Sequence, residues 1–282
     1  MTNATAIAPI FLSHGSPEMA LHPGAAGHFM QALGRHLQHA SRPRAILALS
    51  AHSLARRPTL LVAQRQHPVY DFGGFDPALY QLRYDAPGAP ELAEELSQAL
   101  PGLLQVHGRA GLDHGIWIPL RHLVPQADIP VLPLCFSPHA SPDELWTLGR
   151  ALAPWSEQGV LILASGSITH NLRRVFNDGA AADAPEIPQS RAFRDWWAAR
   201  AKAADWRALL DYRQQAPHAL DMHPTDEHLL PWFIAAGAGG ETQGAVRIHD
   251  SVTHGCIGMD AYAFGAGATS LAAELRRAEQ VR

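Results

Sequence analysis

The chain has 282 residues, 47% hydrophobic and 17% charged, with a net charge of −4. That balance suits a globular protein large enough to bury a core without disulfides. It lacks the basic excess that nucleic acid or an anionic membrane surface demands. Cys135 and Cys256, the two cysteines, match no zinc-finger or redox spacing and are expected as reduced thiols. Residues 1–8 carry neither a basic segment nor a long apolar one, so no signal peptide is expected. No apolar run approaches the roughly 20 residues of a membrane span, and a cytoplasmic setting is the default expectation. There are 17 histidines against 22 Lys and Arg combined, so position rather than number must select the functional ones.

In chain order, residues 6–12 form a short apolar run, ended by Ser13-His14-Gly15-Ser16-Pro17, and read as a strand and loop. Residues 23–38 place Phe29, Met30, Leu33 and Leu37 at helical spacing. Residues 45–50 are a second buried strand, running into Ala51-His52-Ser53, and the order predicts a parallel βαβ unit. A short strand is expected over 60–63. An ordered loop rich in glycine and aromatic residues follows over 70–85, then a helix over 89–100 with Glu in its first turns. Residues 111–120 read as a loop entering an apolar segment. Residues 129–136 read as a strand whose Pro130 and Pro133 point to irregular or edge pairing. Ser141-Pro142-Asp143-Glu144 is a capping box opening a helix to about residue 153.

The run Gly159-Val160-Leu161-Ile162-Leu163-Ala164 reads as a strand buried on both faces; it breaks at Ser165-Gly166-Ser167 and delivers His170. A helical segment over 190–212, a helix opened by residues 223–231 and stopping near 237, late strands over 246–249 and 259–264, and a helix over 269–281 complete the chain. No repeat or linker divides it. The expectation is one α/β domain over 1–282, with a central mostly parallel or mixed sheet flanked by helices.

His14, His52 and His170 each follow the end of an apolar strand. In open α/β sheets ligands sit beyond the carboxyl ends of the strands, so parallel neighbours would send all three side chains into one crevice. His14 and His52, in Ser/Gly-flanked turns, are the better metal candidates, since neutral imidazole suits zinc, iron and related ions. His228 reads as part of the first turn of a helix with Thr225 as N-cap, an environment that keeps a ring neutral. Asp113 beside His114 can orient that histidine as an acid/base, though a plain turn explains the pair equally well. HExxH, GxSxG and P-loop signatures are absent.

Taken together, Ser13-His14-Gly15-Ser16-Pro17, Ser50-Ala51-His52, Gly111-Leu112-Asp113-His114-Gly115-Ile116-Trp117-Ile118-Pro119-Leu120, Ser165-Gly166-Ser167-Ile168-Thr169-His170-Asn171-Leu172 and His223-Pro224-Thr225-Asp226-Glu227-His228 resemble the class III extradiol ring-cleaving dioxygenases, in particular the DOPA (4,5-extradiol) dioxygenase-like branch. The likeness runs in order from about residue 8 to 264. It implies a single catalytic domain and one mononuclear metal, ferrous iron for dioxygenase chemistry, although zinc is also found in this branch. The family's ligands fall on His14, His52 and His228. Its acid/base histidine falls on His170, which in some members also approaches the metal, and a second active-site histidine falls on His114. The usual facial triad for non-haem iron is two His and one carboxylate; here an all-histidine set is expected, with Glu227 as the alternative third ligand. Residues 268–282 form a terminal helical extension past the usual end of the family.

The implied activity inserts both atoms of O2 into a DOPA-like catechol with ring opening; the partners are that small molecule and O2. Two rivals stand beside it: a zinc hydrolase using the same histidines to activate water, and a non-catalytic divalent-metal-binding protein. Phe72, Tyr80 and Trp117 are candidate walls for an aromatic ring, and Arg56, Arg57, Arg173 and Arg174 are candidate carboxylate partners set against an ordinary charged surface.

Overall fold

The computed structural model describes residues 6–280; the expectations for residues 1–5 and 281–282 lie outside the described residues. Strands are β1 (Ile10–Ser13), β2 (Ala45–Ser50), β3 (Thr59–Leu61), β4 (Gln105–His107), β5 (Val131–Cys135), β6 (Val160–Gly166), β7 (Val246–His249), β8 (Val252–Thr253), β9 (Ile257–Gly258) and β10 (Ala261–Ala263). Helices are α1 (Gly24–Ala40), α2 (Pro90–Ala99), α3 (His114–Leu123), α4 (Pro142–Glu157), α5 (Leu172–Asp178), α6 (Pro188–Lys202), α7 (Trp206–Leu210), α8 (Tyr212–Gln215), α9 (Ala219–Met222), α10 (Leu230–Gly239) and α11 (Ala268–Gln280). Eight strands form one mixed sheet in the order β4-β3-β5-β2-β6-β1-β10-β7, and β8 and β9 make a small hairpin. No helix among the described residues is long and apolar enough to cross a membrane.

The centre of the sheet, β5-β2-β6-β1, is parallel. Its strands are apolar on both faces because both are covered. Along β6, Val160, Ile162 and Ala164 face one core, with α2, α4, α6 and α10; Leu161 and Leu163 face the other, with α1, α3 and α11. The expected βαβ order holds, but β6 inserts between β1 and β2. The capping box at Ser141 forms as expected, both reciprocal bonds present. Both cysteines are free and buried.

Several expectations change. β5 is an interior strand, not an edge. The Val131 amide donates to Pro87, away from β2, so Pro133, two residues on, also turns its missing donor away from β2. It faces β3, where pairing stops at Leu134. The apolar segment that the loop at 111–113 enters, which the sequence leaves unassigned, is a helix over residues 114–123. The segment over 190–212 breaks into α6, α7 and α8. The terminal extension packs Ala268, Leu271, Ala272 and Leu275 into the core against α1 and β7, which gives it a structural role.

Candidate metal centre

β1, β6 and β2 are consecutive in the sheet, and His14, His170 and His52 follow their carboxyl ends at one, four and two residues. The crevice predicted from parallel neighbours is therefore present. Two further segments close on it. α3 begins at His114, placing that ring with its centroid 4.0 Å from that of His52 and 5.5 Å from that of His14. The turn before α10 brings His228 to 5.4 Å from His14 and 5.0 Å from His52. Five histidines meet in one place.

His228 does not lie in a helical first turn. α10 starts at Leu230, with Pro231 in its first turn as proline prefers, and the Thr225 hydroxyl donates to Glu227 rather than capping the helix. The turn reaches the crevice by docking on the end of β6. Gly166 is glycine of necessity, because a Cβ there would lie 2.0 Å from the His228 carbonyl oxygen. That same oxygen accepts the Ser167 amide at 2.8 Å.

Ring nitrogens are held individually. His14 Nδ1 lies 2.9 Å from Ser165 Oγ, and its Nε2 lies 3.2 Å from His52 Nε2. His228 Nδ1 is 3.0 Å from Glu227 Oε1, and His114 Nδ1 is 3.0 Å from Asp71 Oδ1. Nε2 is thus the free nitrogen of both. Asp71 Oδ1 also accepts the His114 backbone amide at 3.0 Å, so the orienting carboxylate is Asp71, from the glycine- and aromatic-rich loop. Asp113, expected in that role, points the other way and accepts the Ser53 hydroxyl. Burial works to raise the Asp71 pKa, but its bonds from His114 hold it below the ordinary carboxylate range; burial pushes Asp113 up.

Burial, reinforced by the neighbouring imidazoles, pushes His14 and His228 well below the ordinary histidine value, His52 to about 4 and His170 to about 3. These rings are neutral at pH 7, the state a divalent ion requires. Two groups could hold one: His14, His52 and His114, or His170, Glu227 and His228, each with ligand atoms within 4.8 Å of one another. The donor chemistry fits a metal, since two imidazole nitrogens facing each other at 3.2 Å have a natural cation between them. In the second group the rings of His170 and His228 are stacked, 3.4 Å apart and 8° from parallel. Their in-plane lone pairs lie in parallel sheets, so one ion cannot sit in both planes.

His223 is not in the crevice. It is wholly buried against Phe193, its Nε2 donates to the Ile168 carbonyl at 2.9 Å, and burial pushes it to about 4; it braces the loop carrying His170. Trp117 is a core residue donating to Val69, whereas Phe72 is partly exposed and edge-on to His114 at 5.8 Å. Arg174 is occupied by a two-bond pair with Asp221. Sequence reasoning missed Asp71, which the loop Asp71-Phe72-Gly73-Gly74-Phe75 supplies 43 residues before His114.

The family described as the catalytic LigB subunit of aromatic ring-opening dioxygenase matches residues 7–265. The chain belongs to this family. It is an extradiol ring-cleaving dioxygenase by that membership and by its relatives. A 4,5-DOPA dioxygenase extradiol from Beta vulgaris is 36% identical over 260 residues, covering 90% of this chain and 95% of that protein. The protein of the same name from Escherichia coli K12 is 33% identical, covering 84% and 86%. Among solved structures, the uncharacterized protein JW3007 from Escherichia coli K12 superposes with a TM-score of 0.73 at 25% identity, covering 92% of this chain and all of the other. Within this LigB-family fold, His14, His52 and His114 form a group able to hold a metal ion.

Proposed function

We propose that the protein opens the ring of a DOPA-like catechol, breaking the carbon–carbon bond beside the diol and placing both atoms of O2 in the product. The observation that carries this reading is the convergence of His14 and His52, nitrogen to nitrogen at 3.2 Å, beneath a partly exposed aromatic loop. Relatives named as 4,5-DOPA dioxygenases support the substrate class. His14, His52 and His228 are assigned as ligands, with Glu227 gripping His228 from behind rather than binding. An outer carboxylate on a ligating histidine fixes its tautomer and raises its basicity. His114 is assigned to the substrate, because it stands between the His14–His52 pair and Phe72. The stacked geometry of His170 supports an acid/base role over a fourth ligand.

Ferrous iron is the proposed ion, and when bound it supplies the redox chemistry by passing electron density from the ring to O2. The side chains do the rest. Neutral His170 accepts a proton from a catechol hydroxyl, and His114 Nε2, backed by Asp71, holds or returns a proton on the oxygen side. Phe72 packs on the ring and keeps water away. With two buried free thiols, a cytoplasmic site of action is part of the same proposal, as is one catalytic domain over residues 1–282.

Aerobic incubation of iron(II)-loaded protein with DOPA and other catechols tests it. A yellow ring-opened product is expected, with oxygen uptake equal to catechol consumed. No product from any catechol, with ester or amide hydrolysis by the zinc-loaded protein, would overturn the proposal. Metal analysis of protein purified without oxygen identifies the ion.

A further inference from the structure

Pro119 is the sixth residue of α3. At that position any other residue would donate its amide proton to the carbonyl of Gly115, four residues back. Proline has no such proton. The Gly115 carbonyl accepts the hydroxyl proton of Ser165 instead, at 2.5 Å. A serine hydroxyl has one proton to give. With that proton on Gly115, Ser165 Oγ can meet His14 Nδ1 only as an acceptor, at 2.9 Å. Nδ1 therefore carries hydrogen and Nε2 carries the lone pair. That Nε2 is the nitrogen facing His52.

Packing leaves no substitute for this chain of bonds. Ser165 is 1% exposed and His14 3%, so both are shut off from bulk solvent. Gly115 brings the start of α3 directly onto the ring, since a Cβ there would lie 2.4 Å from Ser50 Oγ and 3.1 Å from His14 Cε1.

We propose that the missing helix donor at Pro119 and the hydroxyl of Ser165 form a positioning relay that locks His14 in its Nδ1–H tautomer and presets Nε2 for a metal ion. The inference rests on His14 being a ligand, as assigned above. It explains why a proline is carried inside a buried helix, where it otherwise only costs a hydrogen bond.

The test uses full-length protein with 15N-labelled histidine, read by long-range 1H–15N spectra, alongside zinc titration. The wild-type His14 should show hydrogen on Nδ1 alone. Ser165→Ala should mix the two tautomers and raise the zinc Kd about 10–100-fold, the usual weight of an outer partner of a ligating histidine. Ser165→Thr, which keeps the hydroxyl, should restore both. Pro119→Ala returns a competing amide to Gly115 and should weaken zinc binding less than Ser165→Ala does. An unchanged His14 spectrum with a Kd within about two-fold in Ser165→Ala would overturn the proposal, and so would a Pro119→Ala protein identical to wild type in both readouts. Failure of the iron protein to turn over catechols would count against the proposed ring opening and leave the tautomer of His14 unaffected.

Discussion

His14, His52 and His170 leave adjacent strands close to their ends, whereas His114 and His228 come in on segments that belong to no central strand. Among the described residues, only the second pair is gripped by carboxylates. Where a ladder of backbone hydrogen bonds already fixes the chain, a neutral serine is enough to aim the ring, as Ser165 aims His14. Where it does not, a charge-assisted bond, roughly twice as strong, takes over. Rigid scaffold and charged clamp are alternative routes to one neutral, oriented imidazole.

The largest effects separate the strand-borne rings from one another. His52→Ala should release the metal and abolish ring opening, a loss beyond the roughly 10–100-fold that outer partners carry. His170→Ala should keep the metal and lose about 10²–10⁴-fold in kcat. Metal content beside kcat distinguishes the two, and the reverse pattern would exchange their roles.

The clamps should divide in the same way although their geometries match. Glu227→Ala should weaken metal binding about 10–100-fold. Asp71→Ala should leave metal content alone and lower kcat, with Asp71→Asn, whose amide oxygen still accepts, close to wild type. Metal loss in Asp71→Ala would make His114 the third ligand in place of His228.

The remaining effect is on stability rather than on the metal or turnover. His52, His170 and His223 have folded pKa values pushed to about 4, 3 and 4, below the ordinary value near 6.5. The unfolded chain therefore takes up protons first as pH falls. Stability should be flat above about pH 6.5 and decline from there towards pH 4, by about 1.4 kcal/mol per pH unit for a wholly buried ring such as His223. Urea unfolding of the metal-free protein at pH 7, 6 and 5 measures the slope; a stability that rose on acidification would contradict the buried, neutral state.

Much of this was legible in the sequence. Runs as apolar as residues 45–50 and 159–164 have one reading, and the histidines after them were visible. Their adjacency was not, since nothing local says that β6 enters between β1 and β2. α3 escaped notice because it opens directly on Asp113-His114-Gly115, a turn-like composition, and because Pro119 interrupts it. Asp113 misled by proximity. At a helix start successive side chains diverge, and the carboxylate that reaches His114 comes from 43 residues away. Thr225 resembled a cap, but Pro231 sets the start of α10 at residue 230.

β1 is the first strand of the chain, yet its partners are β6 and β10, at residues 160–166 and 261–263. During synthesis it must wait, unpaired, for both. Topology of this kind folds slowly, because the chain entropy of long closures is lost before the contacts reward it. His14 and His52 emerge from the ribosome more than 170 residues ahead of His228, so the ligand set proposed above is complete only when the chain is nearly finished. On that assignment metal loading is a late event in the life of this protein, one that follows the entry of β6 between β1 and β2.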